Sequence, residues 1–184
     1  SYLEKSMFAL SPKAIGVGIR NEYMLELYDK PHQQIEFLEL APENWLGIGG
    51  KRKACLDKLA QDYPFICHGL SLSLGSSAPL DIDYLKKLKL FLDHYQIQIY
   101  SEHLSFSGDE NGLLYELFPI PFTESAVNYV ANRIKQIQEI LERSIAIENI
   151  SYYGVMDSEM SEQDFILAIL EKSNCQILLD INNV

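Results

Sequence analysis

The apolar residues of this chain fall into short runs that alternate with longer amphipathic segments. Each short run is rich in Ile, Leu, Val or aromatic residues and is bounded by turn-forming or polar residues. This pattern is typical of buried β-strands. The predicted strands lie at residues 14–19, 35–40, 64–69, 97–102, 144–149 and 176–182.

Between these runs the apolar positions recur every three or four residues, as in helices that bury one face. Thr123 and Ser161 each precede such a segment and are expected to cap its helix, and Asp81 or Asp83 is expected to start another. A shorter helix after the first strand is expected to stop before Pro31. The longer helices are predicted within 51–63, 81–95, 123–142 and 161–174.

Regular alternation of strands and helices predicts an α/β protein with parallel strands and helices outside them. Two architectures fit six such units: a doubly wound open sheet, or a (β/α)8 TIM barrel of which only about six βα units are present. A full barrel takes roughly 250 residues, whereas this sequence has 184 and reaches its last residue just after the sixth predicted strand. We therefore expect a single TIM-barrel domain over residues 1–184, truncated after strand six, with a complete six-stranded open sheet as the alternative.

Composition and charge indicate which partners are unfavourable and in which compartment the protein is expected. The formal net charge of −11 repels phosphate backbones and argues against nucleic acid. No apolar stretch approaches the ~20 residues of a membrane span, and no basic-then-apolar leader opens the sequence, so we expect a cytoplasmic protein. Three cysteines without a CxxC spacing are expected to be reduced packing residues, and alternation points Cys67 away from its neighbour His68.

Polar side chains collect where the predicted strands end. In a parallel sheet these carboxyl ends form one rim, which is where ligands bind. Five consecutive strands deliver a carboxylate, an imidazole or both to that rim, and among them Glu43 and Glu102 are the candidate catalytic carboxylates. The rim residues are Glu43 and Asn44, then His68, then Glu102 and His103, then Glu148 and Asn149, and finally Asp180, Asn182 and Asn183.

A mixed set of imidazoles and carboxylates is what iron(II), manganese and zinc sites use, and the lack of a thiolate cluster argues against a structural zinc. A carboxylate such as Glu148 can bridge two metal ions. Taken singly, a buried histidine is often a hydrogen-bonded core residue, and a strand-end acid is often a helix cap or an ion-pair partner. The prediction of a metal site therefore depends on the joint position of these residues.

Seven segments give a more specific indication: NEYMLE, FLELAPENW, CHGLSLSLGS, SEHLSF, LFPIPFTESAVNYVANRI, IAIENIS and LLDINNV. In this order they resemble the multinuclear non-haem iron-dependent oxidative enzymes, a family long catalogued as a domain of unknown function. The resemblance runs from about Ala14 to the last residue, and HGLSLSLG, SEHLS and ENIS together are its most specific part.

The resemblance implies a xylose-isomerase-like TIM barrel that holds two or three iron ions at its carboxyl rim. It implies oxidation of cysteine residues in ribosomally made precursor peptides by dioxygen. It also implies a small companion protein that presents the peptide. The family places further histidine and acidic ligands in the last two barrel strands, which this sequence does not contain.

Carried over motif by motif, the resemblance makes His68 and His103 metal ligands. Glu148 becomes the bridging ligand and Asp180 a further one, with Asn183 favoured over Asn182 as an additional ligand. Glu102 is expected to orient a histidine through its ring N–H.

Two other functions remain open from the residues alone. A metal-dependent isomerase or phosphodiesterase on the same barrel would use zinc or manganese to activate water. A metal-binding or scaffolding protein without turnover would use the same side chains. The identity of the bound metal distinguishes the two enzymes: iron favours the oxidase, and zinc favours the hydrolytic enzyme.

Overall fold

The structure is a computed structural model that describes residues 10–109, 112–118, 120–149 and 158–183. Within these residues the predicted alternation of strands and helices is confirmed. Six parallel strands form one sheet, and a separate two-stranded hairpin follows the fourth of them. The strands are β1 (Gly16–Gly18), β2 (Phe37–Leu40), β3 (Phe65–Gly69), β4 (Tyr100–His103), β5 (Phe106–Asp109), β6 (Gly112–Phe118), β7 (Ala146–Glu148) and β8 (Gln176–Leu178), of which β5 and β6 are the hairpin.

Three of the described helices begin where the sequence places capping side chains. Asp81 accepts a hydrogen bond from the N–H of Tyr84, and Thr123 and Ser161 cap their helices in the same way. These caps satisfy donors that the first helical turn leaves free. The helices are α1 (Asn21–Asp29), α2 (Gly50–Asp62), α3 (Ile82–His94), α4 (Glu124–Leu141) and α5 (Glu162–Ser173), with a 3-10 turn at Pro42–Asn44.

The strand order decides between the two predicted architectures. The parallel strands follow one another as β1-β2-β3-β4-β7-β8, so each lies beside its predecessor in the chain apart from the inserted hairpin. A doubly wound sheet reverses its strand order at a switch point, whereas a barrel does not. Successive helices also pack on one another, α1 on α2, α3 on α4 and α4 on α5. The fold is the predicted TIM barrel, present in the described residues as five βα units and a sixth parallel strand.

The two faces of the sheet have different characters, as the alternation of side chains along each strand requires. The face toward the helices carries Leu38, Leu40, Cys67 and Tyr100, which are all buried. Five apolar residues of α4, which recur at three- or four-residue intervals as the sequence pattern predicts, are also buried, and each contributes about 1.5–3 kcal/mol to stability. They are Val127, Val130, Ile134, Ile137 and Leu141. The opposite face of the sheet is free to carry polar groups.

The expectation for Cys67 is confirmed, and a separate finding concerns the described helices. All three cysteines are free, and Cys67 lies on the buried face, where burial raises the pKa of its thiol. None of the described helices combines the length and the apolar composition that crossing a bilayer requires.

Candidate metal centre

Three predicted ligands meet at the carboxyl ends of three adjacent strands. The parallel register sets His68 of β3 beside Ser101, and His103 of β4 beside Glu148 of β7. Glu148 Oε2 lies 3.0 Å from His68 Nε2 and 3.1 Å from His103 Nε2, and the two Nε2 atoms are 3.3 Å apart. Three potential ligand atoms therefore form a nearly equilateral triangle.

The other nitrogen of each imidazole is engaged by the protein. His103 Nδ1 lies 3.0 Å from the carbonyl oxygen of Gly69, which only accepts, so this nitrogen carries the hydrogen. His68 Nδ1 lies 2.8 Å from the hydroxyl of Ser101, which itself donates to the carbonyl of Cys67 at 3.3 Å. Ser101 therefore accepts from His68. Such partners leave Nε2 as the atom that each ring offers to a cation.

These atoms fit one divalent ion. Ligand atoms about 2.0–2.1 Å from a common ion stand about 2.9–3.4 Å apart at angles between 90° and 110°, and the observed separations are 3.0–3.3 Å. The buried Oε2 atom of Glu148 has no well-directed hydrogen bond within the described part of the chain. A buried oxygen without such a bond is costly, and a cation between the three atoms would remove that cost.

The two imidazoles differ in their affinity for protons. Burial alone would lower the pKa of His68, but the adjacent Glu148 carboxylate, whose Oε2 lies 3.0 Å from Nε2, outweighs burial and raises it. Burial lowers the pKa of His103, and the charge of His68 lowers it further. A proton and a metal ion therefore compete for Nε2 of His68.

The structure does not bring Asp180 and Asn183 into this group. Asp180 Oδ1 accepts from the N–H of Asn182 at 2.9 Å, and the side-chain amide of Asn183 donates to the carbonyl of Asn149 at 3.0 Å. Asn149 is buried and bonds both the N–H and the carbonyl of Asp180. These bonds fasten the end of β8 beside the end of β7, which places Asp180 on the same rim as Glu148.

Glu102 and Glu43 also contribute no atom to the triangle. Glu102 is 1% exposed and lies on the helix-facing side of β4, where its Oε2 accepts from the hydroxyl of Tyr100 at 2.8 Å. The orienting role predicted for Glu102 belongs instead to the carbonyl of Gly69 and the hydroxyl of Ser101. Sequence reasoning missed both, because each acts across a strand pair whose register it did not fix.

Several proteins are similar to this chain in sequence. The UPF0276 protein of Shewanella amazonensis is 49% identical over 169 residues, covering 92% of this chain and 60% of the relative. UPF0276 proteins of Acinetobacter baylyi (48%, with 92% and 58% covered) and Pseudomonas aeruginosa (45%, with 92% and 59% covered) are comparable. The chain thus spans about three fifths of the length of these curated relatives.

Solved structures share the fold at low sequence identity. The 3-keto-D-glucoside 4-epimerase YcjR from E. coli matches with a TM-score of 0.58 and 9% identity, over 89% of this chain and 66% of the epimerase. An L-ribulose 3-epimerase matches with a TM-score of 0.56 and 12% identity, over 90% of this chain and 60% of the epimerase. At these identities the likeness concerns the fold alone, and it confirms the barrel.

The family described as "RiPP precursor modification enzyme MbnB/TglH/ChrH" matches residues 14–184. This range coincides with the motifs on which the resemblance was based, and it includes the three residues of the triangle. The match therefore confirms the resemblance: the chain belongs to the MbnB/TglH/ChrH family of enzymes that modify RiPP precursor peptides.

Proposed function

We propose that this chain takes part in the iron- and dioxygen-dependent oxidation of cysteine residues in a ribosomally made precursor peptide. The observation that carries the proposal is the convergence of His68, His103 and Glu148 at the rim of a barrel whose family modifies such peptides. A small companion protein that presents the peptide is part of the proposal. Dioxygen is the oxidant, and the cysteine side chain supplies the electrons.

The proposed iron ligands are the Nε2 atoms of His68 and His103 together with the carboxylate of Glu148. Bound iron would supply the affinity for a thiolate and the redox chemistry with dioxygen. The chain contributes orientation: Gly69 and Ser101 hold the rings so that both Nε2 atoms face Glu148. Because protons compete with a metal ion for the ring nitrogens of His68 and His103, we expect binding to weaken as pH falls.

Asp180 and Asn183 remain proposed ligands for a further ion beside the triangle. Asn149 supports this role, because it fastens the backbone of Asp180 next to the strand that carries Glu148. Glu148 would then serve as the bridging ligand of a site with two or three irons.

The experiment combines metal analysis with a turnover assay under controlled oxygen. The protein is loaded with Fe²⁺ under anaerobic conditions and mixed with a cysteine-containing precursor peptide encoded beside its gene. We expect a change of peptide mass at cysteine only after air is admitted, and none with His103→Ala. Conversion that proceeds equally without oxygen would contradict the oxidase.

The same preparation tests the alternatives. A colourless protein that retains zinc or manganese and leaves cysteine unchanged would point to the isomerase or phosphodiesterase. Metal loss in His103→Ala without any effect on partner binding, and without turnover in the wild type, would point to a binding protein. An aerobic visible absorption band together with iron in the purified protein would support the oxidase.

A further inference from the structure

The peptide unit between Gly69 and Leu70 makes a hydrogen bond on each side. Its carbonyl accepts from His103 Nδ1 at 3.0 Å, and its N–H donates to Glu43 Oε1 at 2.8 Å. Because a peptide unit is planar, turning its N–H also turns its carbonyl. A single rigid group therefore links the carboxylate of Glu43 to the imidazole of His103.

Glu43 is itself held in place. It belongs to the 3-10 turn that follows β2, and the hydroxyl of Tyr84 on α3 donates to the same Oε1 atom at 3.1 Å. Its other oxygen, Oε2, is buried and has no hydrogen-bond partner within the described residues. Burying a carboxylate oxygen in this way costs stability, so stability alone does not account for an acid at this position.

The linking peptide has little freedom to adapt. A Cβ atom on Gly69 would meet the hydroxyl of Tyr100 at 2.4 Å and Glu102 Oε2 at 2.6 Å. The following loop is fastened a second time, because the N–H of Leu72 donates to Glu102 Oε2 at 3.3 Å. The Gly69 backbone is thus closely packed against the side chains of Tyr100 and Glu102, and Glu43 accepts from the N–H on the far side of the peptide unit.

We propose that Glu43 is a positioning residue for the candidate metal centre and acts on His103 through the Gly69–Leu70 peptide. The negative charge on the N–H side polarises the peptide and strengthens its carbonyl as an acceptor. A stronger hydrogen bond at Nδ1 fixes the orientation of the ring and makes the lone pair of Nε2 more basic toward a metal ion. Outer partners of ligating histidines act in this way. The inference rests on the proposed metal centre and holds whichever reaction follows.

The test is the affinity for Zn²⁺, measured by competition with a chromophoric chelator, for wild type and for Glu43 variants. Glu43→Ala should weaken binding about tenfold, the lower end of the range for outer partners of metal ligands. Glu43→Gln keeps an acceptor for Leu70 but loses the charge, and should weaken binding less than Glu43→Ala does. Tyr84→Phe, which leaves Glu43 charged but less firmly held, should also weaken binding and serves if Glu43→Ala does not fold.

A matched pair of controls lies at the far end of α3. The hydroxyl of Tyr95 donates to Asp57 Oδ1 at 2.8 Å, which repeats the tyrosine–carboxylate contact away from the metal centre. Asp57→Ala and Tyr95→Phe should therefore bind Zn²⁺ as the wild type does. Nitrogen-15 NMR of the histidine rings adds a readout of position, since the Nδ1–H resonance of His103 should shift in Glu43→Ala.

Wild-type affinity and an unmoved His103 resonance in both Glu43 variants would overturn the positioning role while leaving the metal centre intact. Equal weakening in Glu43→Ala and Asp57→Ala would also overturn it, because the effect would then follow general stability. A wild type that binds no Zn²⁺ through His103 would overturn the metal centre and the inference together.

Discussion

Gly69→Ala tests the packing that supports the candidate metal centre. The added Cβ would lie 2.4 Å from the hydroxyl of Tyr100 and 2.6 Å from Glu102 Oε2, inside the 3.0 Å limit that Cβ contacts respect. These two atoms are the ends of one hydrogen bond of 2.8 Å between side chains that are almost fully buried. We therefore expect the substitution to force that bond apart.

The expected loss of stability has two parts. Overpacking a filled site costs about 1–3 kcal/mol, and separating a buried carboxylate from its hydrogen-bond donor costs about 1–3 kcal/mol. The free energy of unfolding should therefore fall by about 2–6 kcal/mol. For a chain of this length each kcal/mol lowers Tm by about 2–4 °C, so a fall of at least about 4 °C is expected.

Thermal unfolding of the metal-free protein, followed by circular dichroism, measures this change. Gly18→Ala is the matched control, since Gly18 ends the strand β1 and its Cβ would meet only Glu39 Oε1 at an ordinary 3.7 Å. The control should change stability by less than about 1 kcal/mol. A Gly69→Ala protein with the Tm of the wild type would refute the packing described for this loop.

Three further changes test other parts of the account. Burial raises the pKa of Glu102 to about 8 from 4.5. Between these values the unfolded chain gives up a proton that the folded chain keeps, so the free energy of unfolding should fall by about 1.4 kcal/mol for each unit that the pH rises. Denaturant titrations of metal-free Glu102→Gln should lack this fall. Ser101→Ala removes the partner of His68 Nδ1 and should weaken Zn²⁺ binding about tenfold or more in chelator competition. Thr123→Ala removes the cap of α4 and should cost about 1 kcal/mol in urea unfolding, with Zn²⁺ affinity unchanged.

Local signals account for the parts of the fold that the sequence predicted well. Strand positions followed from short apolar runs, and the starts of α3, α4 and α5 followed from capping side chains that bond the first helical turn. The observed strands are shorter than predicted. For example, β7 spans Ala146–Glu148, whereas the predicted strand covers 144–149. Both kinds of signal act over a few residues, so tertiary packing does not need to be known.

The hairpin β5–β6 was not predicted, although a signal for it is present. Asn111 and Gly112 stand between apolar runs, and this pair favours a tight turn between antiparallel strands. The regular alternation of strands and helices predicts parallel units alone, and an antiparallel hairpin inserted between two of them departs from that pattern.

Glu102 shows how a local rule was outweighed by a global expectation. Adjacent residues on a strand point to opposite faces, so His103 and Glu102 could not both face the rim cavity. The expectation that polar residues at a strand end serve one site took precedence over that rule. The roles of Ser101 and Gly69 could not be predicted, because they depend on the cross-strand register between β3 and β4.

The most direct test of the metal centre is a crystal structure of the iron-loaded protein with anomalous scattering recorded at the iron edge. We predict an iron peak about 2.0–2.2 Å from His68 Nε2, His103 Nε2 and a carboxylate oxygen of Glu148. A peak bound by other residues, or fully loaded protein with these three side chains unligated, would contradict the account.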